Sequence, residues 1–220
     1  MTGGMTVYYM QADFNSNGNQ KITSFKPGFR MTVGSPTTTG GNAPNLHYTC
    51  LQDIMTRFPE TTTFPTSPCP AGIMAIHHFP ACWDGKNLDS PNHQDHMYYS
   101  GTGGFVAHRA CPSSHPVRMP HIALETMWDT RQFNDRNLWP ADGSQPFVWS
   151  YGDTKGYGTH ADYVFGWKGD ALQRTMDSRA LLSDGLKTQA VATANRCTIP
   201  ATVREDVDGW LDALPGHSSQ

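Results

Sequence analysis

The densest group of chemically capable side chains lies between residues 79 and 96. This segment has no periodic apolar pattern and follows a strand-like segment, so we predict a long loop, where binding residues concentrate. It supplies carboxylates and imidazoles at Asp84, Asp89, Asp95, His93 and His96. The His-x-x-His spacing would place two imidazoles on one metal ion if the backbone turns there. Turn-forming Asp and solvated His residues are an equally good interpretation of each residue alone, but a poorer one of the cluster.

A second group runs from Cys111 to Arg118. His115 stands next to Pro116, so its backbone is expected to be stiff. Arg118 begins an extended segment, where it could bind a carboxylate or sugar hydroxyls, or form a structural ion pair, and the structural role is slightly favoured. Ser114 beside His115 does not indicate a serine nucleophile, because sequence neighbours in a loop rarely face each other and the chain has no G-x-S-x-G motif.

A third group runs from Tyr151 to Asp162. Three glycines allow a tight loop that approaches other groups closely, but no G-K-[ST] motif marks it as a phosphate loop. In an extended strand His160 and Asp162 point to the same side. A carboxylate beside an imidazole is how proteins orient a base or a metal ligand.

Candidate roles follow from residue type. The candidate catalytic residues are His93, His115, His160, Asp84 and Asp162. The candidate substrate-binding residues are Trp83, Asn87, Asp89, Arg118 and Tyr157. The candidate metal ligands are His93, His96 and His160, with a divalent ion as the cofactor.

The roles of four further polar residues, His77, His78, His121 and Glu125, are left open. The alternation of Ile73–His78 puts His77 and His78 on opposite faces of a strand. His121 and Glu125 share one strand face, where they form either the wall of a polar site or a solvated surface.

Short extended segments separated by turn residues must position these loops. They are Gly4–Met10, Phe29–Val33, Leu46–Leu51, Ile73–His78, Met97–Ser100, Val117–Trp128, Phe147–Tyr151 and His160–Trp167. Apolar residues at helical spacing predict one amphipathic helix over Asp170–Leu186, and a further helical turn is predicted over Glu205–Leu211. We therefore predict one all-β, loop-rich domain over residues 1–220, of jelly-roll or sandwich type, with one or two short helices near the C-terminus.

Charge and cysteine usage narrow the function classes. The net charge is −3 and the 16 Lys and Arg residues form no patch, which disfavours a nucleic-acid partner. No apolar run approaches the roughly 18–20 residues that span a bilayer. Without a C-x-x-C pair, the cysteines are expected to form disulfides in an oxidising compartment, with one unpaired and the connectivity open. They are Cys50, Cys69, Cys82, Cys111 and Cys197.

The same three segments resemble a family of secreted fungal and actinobacterial proteins, catalogued as a domain of unknown function, number nineteen ninety-six. The matching residues are Phe79–Pro91 with His93 and His96, Cys111–Arg118, Gly152–Asp153, Gly156–Gly158 and His160–Asp162. Weaker similarity covers Gly3–Tyr9, Phe29–Arg30 and Cys197–Gly216. The resemblance implies that a segment with a Gly-His-x-His-type motif precedes this region in relatives, so we expect this chain to be the larger C-terminal part of such a domain.

Three functional hypotheses remain. The first is a secreted enzyme, a hydrolase, lyase or metal-dependent enzyme, that acts on cell-wall or plant polysaccharide. It is supported by the His and Asp clusters and by the WSC and cellulose-binding modules that accompany some relatives. The second is a noncatalytic glycan- or wall-binding module. The third is a structural extracellular protein whose copies assemble by strand exchange.

Overall fold

The computed structural model describes residues 4–11, 21–41, 43, 45–53, 55–57, 59–101, 109–178, 187–205, 207 and 209–213. Within these residues ten antiparallel strands form three sheets. The strands are β1 (Gly4–Met10), β2 (Arg30–Gly34), β3 (Leu46–Cys50), β4 (Glu60–Thr61), β5 (Ile73–His78), β6 (Cys82–Trp83), β7 (Met97–Tyr98), β8 (Val117–Arg118), β9 (His121–Trp128) and β10 (His160–Val164). The predicted all-β, loop-rich fold is confirmed.

The largest sheet has five strands in the order β1-β9-β5-β3-β4. At its centre, Ala123 of β9 pairs with Tyr8 of β1 on one side and with His78 of β5 on the other. Because successive side chains of a strand point to opposite faces, this register agrees with the predicted opposition of His77 and His78. We call the face that carries Ala75 and His77 the first face, and the opposite face the second face.

The main core lies against the first face. Strands β2 and β10 pair as a ribbon, and their buried Met31, Val33 and Tyr163 join a cluster with Leu46 and Ile122 of the large sheet. Alternation explains this arrangement, since Met31 and Val33 occupy alternate positions of β2. The small sheet β7-β6-β8 adds further apolar side chains to the same cluster.

Two short helices follow the strands. Helix α1 (Ala171–Asp177) buries Leu172 and Met176 in the core. It is the first part of the helix predicted over Asp170–Leu186, and residues 179–186 lie outside the described residues. Helix α2 (Val191–Ala194) is a single exposed turn. The helical turn predicted over Glu205–Leu211 is wrong, because the described residues there form bends and coil.

Two predicted strands also differ from the structure. The segment Val117–Trp128 is divided into β8 and β9 at Pro120, which cannot donate a hydrogen bond to the sheet. The segment Phe147–Tyr151 is a loop, because the backbone N–H of Trp149 donates to Asp153 O at 3.0 Å instead of to a neighbouring strand. This loop carries part of the site described below.

Two disulfides join Cys50 to Cys69 and Cys82 to Cys111, while Cys197 is free and exposed. The prediction of disulfides with one unpaired cysteine is confirmed. The second disulfide connects the first predicted loop to the Cys111–Arg118 segment, so two of the three predicted segments are covalently joined. Among the described residues, no helix is long and apolar enough to cross a membrane.

Candidate functional site

The acidic residues of the first predicted loop shape its backbone. Asp84 Oδ1 accepts hydrogen bonds from the backbone N–H groups of Lys86 and Asn87 at 2.8 and 2.9 Å, and Asn87 Nδ2 donates to Asp84 Oδ2 at 2.6 Å. Burial opposes ionisation, but these hydrogen bonds hold the pKa of Asp84 below its usual value. The contacts of Asp84 and Asn87 are those of an Asx turn, which is the ordinary structural interpretation of an Asp-Gly dipeptide.

The proposed metal ligands His93, His96 and His160 do not come together. His96 is 1% exposed, and both of its ring nitrogens have partners, Ser90 Oγ at 2.9 Å and Arg30 O at 2.9 Å. Burial lowers the pKa of His96, so its imidazole is a neutral structural group. In the described part of the chain, no three His, Cys, Asp or Glu side chains are grouped to hold a metal ion. The prediction that His93, His96 and His160 form one metal site is therefore wrong.

Trp83 and Arg118 are also inside the protein. Trp83 is 3% exposed and its indole N–H donates to Asn87 O at 2.6 Å, so it offers no face to a sugar. Arg118 is 2% exposed, and its guanidinium donates to Ser100 Oγ at 3.1 Å and to Arg109 O. Both side chains are used in packing and internal hydrogen bonds, so the structure favours structural roles and their roles in substrate binding stay predictions.

Part of the first and third segments does meet, at the β2–β10 ribbon. Asp89 bonds Arg30 Nε at 2.5 Å and His93 Nδ1 at 2.6 Å, and the His93 contact is the main cause that lowers the pKa of Asp89 to about 2. His93 and Asp162 line one shallow cavity of about 170 Å³. His93 has a positive φ of 57°, a conformation uncommon for residues other than glycine. The remaining predicted residues are elsewhere: His115 Nε2 bonds Asp95 O at 3.0 Å, while Tyr157 and His160 line a groove.

That groove is built by the loop of residues 147–160, which folds around Asp153. The Asp153 carboxylate accepts hydrogen bonds from the backbone N–H groups of Lys155, Gly156 and Gly158 at 2.7–3.0 Å. Gly156 has φ +88°, and a Cβ there would lie 2.9 Å from the Tyr48 hydroxyl, so glycine is needed for this close approach. The loop is thereby held against the first face of the large sheet.

Seven aromatic side chains line the groove, and we call it the aromatic groove. They are Tyr48, Phe64, Trp128, Phe147, Trp149, Tyr151 and Tyr157. A cavity of about 430 Å³ and one of about 190 Å³ adjoin, since both are lined by Trp128 and Trp149. A further cavity of about 690 Å³, which includes Tyr157, continues from them through Phe64 and Phe147. The rings are ordered by mutual contact: Trp149 stands edge-on to Trp128 with centroids 5.8 Å apart and is stacked on Tyr151 at 6.3 Å.

A buried hydrogen-bond chain positions the aromatic groove. The Trp149 indole N–H donates to the Tyr48 hydroxyl at 3.0 Å, and that hydroxyl donates to Gly156 O at 2.7 Å. Burial raises the pKa of Tyr48 to about 12, so the phenol stays protonated and keeps this role at neutral pH. Trp149 is consequently fixed before any ligand arrives.

His77 lies at the inner end of the groove. Its Nε2 is 2.8 Å from Thr159 Oγ1, while its buried Nδ1 has no hydrogen-bond partner among the described residues. Burial, and then the neighbouring His160, lower the pKa of His77 to about 4, so the ring is neutral near pH 7. His160 is more accessible, and its Nδ1 lies 2.9 Å from Gly158 O.

On the second face of the sheet, four polar side chains surround the small residue Ala123. Tyr8 and His78 flank Ala123 on the adjacent strands, and His121 and Glu125 lie two residues before and after it on β9. We call Tyr8, His78, His121 and Glu125 the polar ring. His78, His121 and Glu125 are each at most 3% exposed, whereas the aromatic groove opens to solvent.

The charge in the polar ring is paired. The Glu125 carboxylate accepts hydrogen bonds from Arg57 Nη1 at 2.8 and 2.9 Å and from the Tyr8 hydroxyl at 3.0 Å. Burial, and then the negative charge of Glu125, raise the pKa of Tyr8. The other half of the polar ring is an imidazole pair, in which His78 Nδ1 lies 3.2 Å from His121 Nε2.

The sequence contained partial signals for these two regions. The polar ring joins three of the four residues that alternation alone left open, but only the pairing of three strands reveals that they converge on Ala123. The aromatic groove was missed because its tryptophans lie on a loop predicted as a strand and at the end of β9. The sequence around a tryptophan does not show whether its ring will be exposed or buried in the core.

Residues 1–167 match the model of one protein family, described as a domain of unknown function (DUF1996). The match covers all the residues discussed in this section and ends before helix α1. No curated protein and no solved structure matches the chain.

Proposed function

The chain belongs to the DUF1996 family, and we propose that its aromatic groove binds a polysaccharide of the cell wall or of plant material without cleaving it. The description of the family assigns no activity, so the proposal is based on the surface of this chain. The observation that carries this proposal is a row of accessible rings: Trp128 is 48% exposed and Tyr151 is 40% exposed, on either side of Trp149. Amphipathic rings of this kind offer an apolar face to a ligand and keep a polar edge for hydrogen bonds.

The extent and rigidity of the groove also favour a polymer. Three adjoining cavities provide space for several sugar units in a row. Trp149 is held in advance by Tyr48, so little ordering free energy is spent on the platform when a ligand binds. Polar groups at the inner end, on His77, Thr159 and His160, are suited to hydrogen bonds with sugar hydroxyls.

Binding is favoured over hydrolysis by the lining of the groove. Glycoside hydrolysis generally uses a pair of carboxylic acids on either side of the scissile bond. The described residues that line the three cavities include no Asp or Glu. The enzyme hypothesis stays a prediction, as does self-assembly of the chain. An extracellular location is part of the proposal and is supported by the two disulfides.

The proposal is tested by measuring the affinity of the full chain for soluble β-glucan and for polygalacturonate, by calorimetry or affinity electrophoresis. Trp128→Ala and Tyr151→Ala are each expected to weaken binding about tenfold, because a lost aromatic contact is worth about 1–3 kcal/mol. The matched control is Tyr98→Ala, which removes a ring that is 47% exposed but lies beside His115, away from the groove.

Two outcomes would contradict the proposal. One is equal affinity in the wild type, Trp128→Ala and Tyr151→Ala. The other is the release of new reducing ends from either polymer, which would establish an enzyme. Unchanged affinity in Tyr98→Ala together with loss in the groove variants supports binding in the aromatic groove.

A further inference from the structure

We propose that His78 and His121 together bind one divalent transition-metal ion of the zinc class, on the second face of the large sheet. The proposal begins from one distance: His78 Nδ1 and His121 Nε2 are 3.2 Å apart. The two rings are tilted by 42° with centroids 5.1 Å apart, so they meet through their nitrogens and not as a stack.

This separation is the one that a shared metal ion requires. Zinc–nitrogen bonds are about 2.0–2.1 Å long, and at a tetrahedral angle the two nitrogens lie about 3.3 Å apart. A hydrogen bond also fits 3.2 Å, although it is at the long limit of the usual range. The distance therefore brings two imidazole nitrogens together at the spacing of one ion, and imidazole is the commonest side-chain ligand for metals of this class.

The sheet fixes both histidines before a metal arrives. They are diagonal neighbours on β5 and β9, the two strands with the most extensive pairing in the sheet. The backbone of His78 is held on both sides, since its N–H donates to Asn45 O at 2.9 Å and its O accepts from the Tyr99 hydroxyl at 2.7 Å. A metal would thus bind without paying to order the chain.

The buried carboxylate of the polar ring is charge-paired. Glu125 lies on the same face as His121 and is buried, and Arg57 neutralises its charge through hydrogen bonds at 2.8 and 2.9 Å. Its oxygens are already held by Arg57 and Tyr8, and Glu125 is therefore not counted as a ligand. Within the described ranges the site has two protein ligands, because no group of three is present there. Water or the oxygen of a bound molecule would complete the coordination.

This site does not depend on the proposed function. It lies on the opposite face of the sheet from the aromatic groove, and its residues do not line any of the three cavities of that groove. A failure of one proposal therefore leaves the other intact. Glycan affinity measured in the variants below separates the two.

The test is a Zn²⁺ titration of the full chain after removal of metals with a chelator. The variants His78→Asn and His121→Gln place an amide near the lost ring nitrogen, so they keep a hydrogen-bonding group while removing the imidazole ligand. Each is expected to weaken the first equivalent of Zn²⁺ at least tenfold. The control His93→Gln removes a histidine paired with Asp89 in the loop between β6 and β7, and it is expected to leave that affinity unchanged.

A second measurement uses the unmodified protein, in case a variant fails to fold. In imidazole ¹⁵N NMR spectra, one equivalent of Zn²⁺ is expected to shift His78 Nδ1 and His121 Nε2 before any other ring nitrogen. First-equivalent affinities in His78→Asn and His121→Gln within twofold of the wild type would overturn the site. Spectra in which these two nitrogens do not respond would overturn it as well.

Discussion

The two faces of the five-stranded sheet are formed by the same strands, but they differ in solvent exposure and in the kind of side chains that they carry. The first face carries the aromatic groove, which is open, built largely by a loop and lined by rings. The second face carries the polar ring, which is largely buried and is built by paired strands. Its main groups are a carboxylate and two imidazoles. A loop can offer exposed rings to a large ligand, while a sheet can hold a few polar atoms at fixed separations. The chemistry of each region follows from the element that builds it.

The two regions also differ in how they tolerate the loss of a contact. Removing a ring from the open groove lets water enter, so we expect the proposed glycan affinity to fall more than the stability. Removing a partner from the closed ring leaves a polar group buried, so the protein loses stability first. Three substitutions test this contrast.

The largest effect is expected for Arg57→Ala. It leaves the Glu125 carboxylate, whose side chain is 2% exposed, without its cationic partner, and should lower the free energy of unfolding by about 3–4 kcal/mol. Denaturant unfolding measures this change. The double variant Arg57→Ala/Glu125→Gln should recover part of the loss because no unpaired charge remains. If the single and double variants are equally stable, the charge pairing in the polar ring is not what stabilises it.

A pH effect is expected from His77. Its pKa is about 4 in the folded protein and 6.5 in the reference state, so the unfolded chain binds more protons between these values. This contribution is complete above pH 6.5 and is lost as the pH falls towards 4, at a cost of roughly 2–3 kcal/mol. The measurement is the free energy of unfolding of the wild type minus that of His77→Gln, from pH 7 to pH 4. A difference that does not change with pH would contradict the burial of a neutral His77.

The smallest effect on stability is expected for Tyr48→Phe. The substitution removes the hydroxyl that holds Trp149 and Gly156, and should cost about 1–2 kcal/mol of unfolding free energy. It should also weaken glycan binding, because the Trp149 ring is no longer fixed, and calorimetry on the same sample measures this. The control is Tyr99→Phe, which removes a buried hydroxyl bonded to His78 O, from a residue that does not line the groove cavities. Equal loss of glycan affinity in both variants would show that the effect is not specific to the hydroxyl that holds Trp149.

The sequence predicts the scaffold better than the site, for physical reasons. Alternation of apolar residues is a local property, so β5 and β9 could be located and the opposed directions of His77 and His78 derived. The polar ring depends on which strands are neighbours, and pairing brings together residues as distant as Tyr8, His78 and Ala123. Composition selected the loop around Asp84 and His96 because it is rich in polar residues, yet most of those groups are used to fold the loop itself.

The adjacency of His77 and His78 has one more consequence. His77 belongs to the aromatic groove and the adjacent His78 belongs to the polar ring. The positions of both imidazoles therefore depend on the same alternation of side chains along β5. Insertion or deletion of one residue upstream of this dipeptide within the strand would exchange the two imidazoles between opposite faces and disable both regions together. A change that preserves the count, such as a substitution at either position, would affect one region alone. Because both regions depend on β5, a change in the length of this strand cannot affect one of them alone.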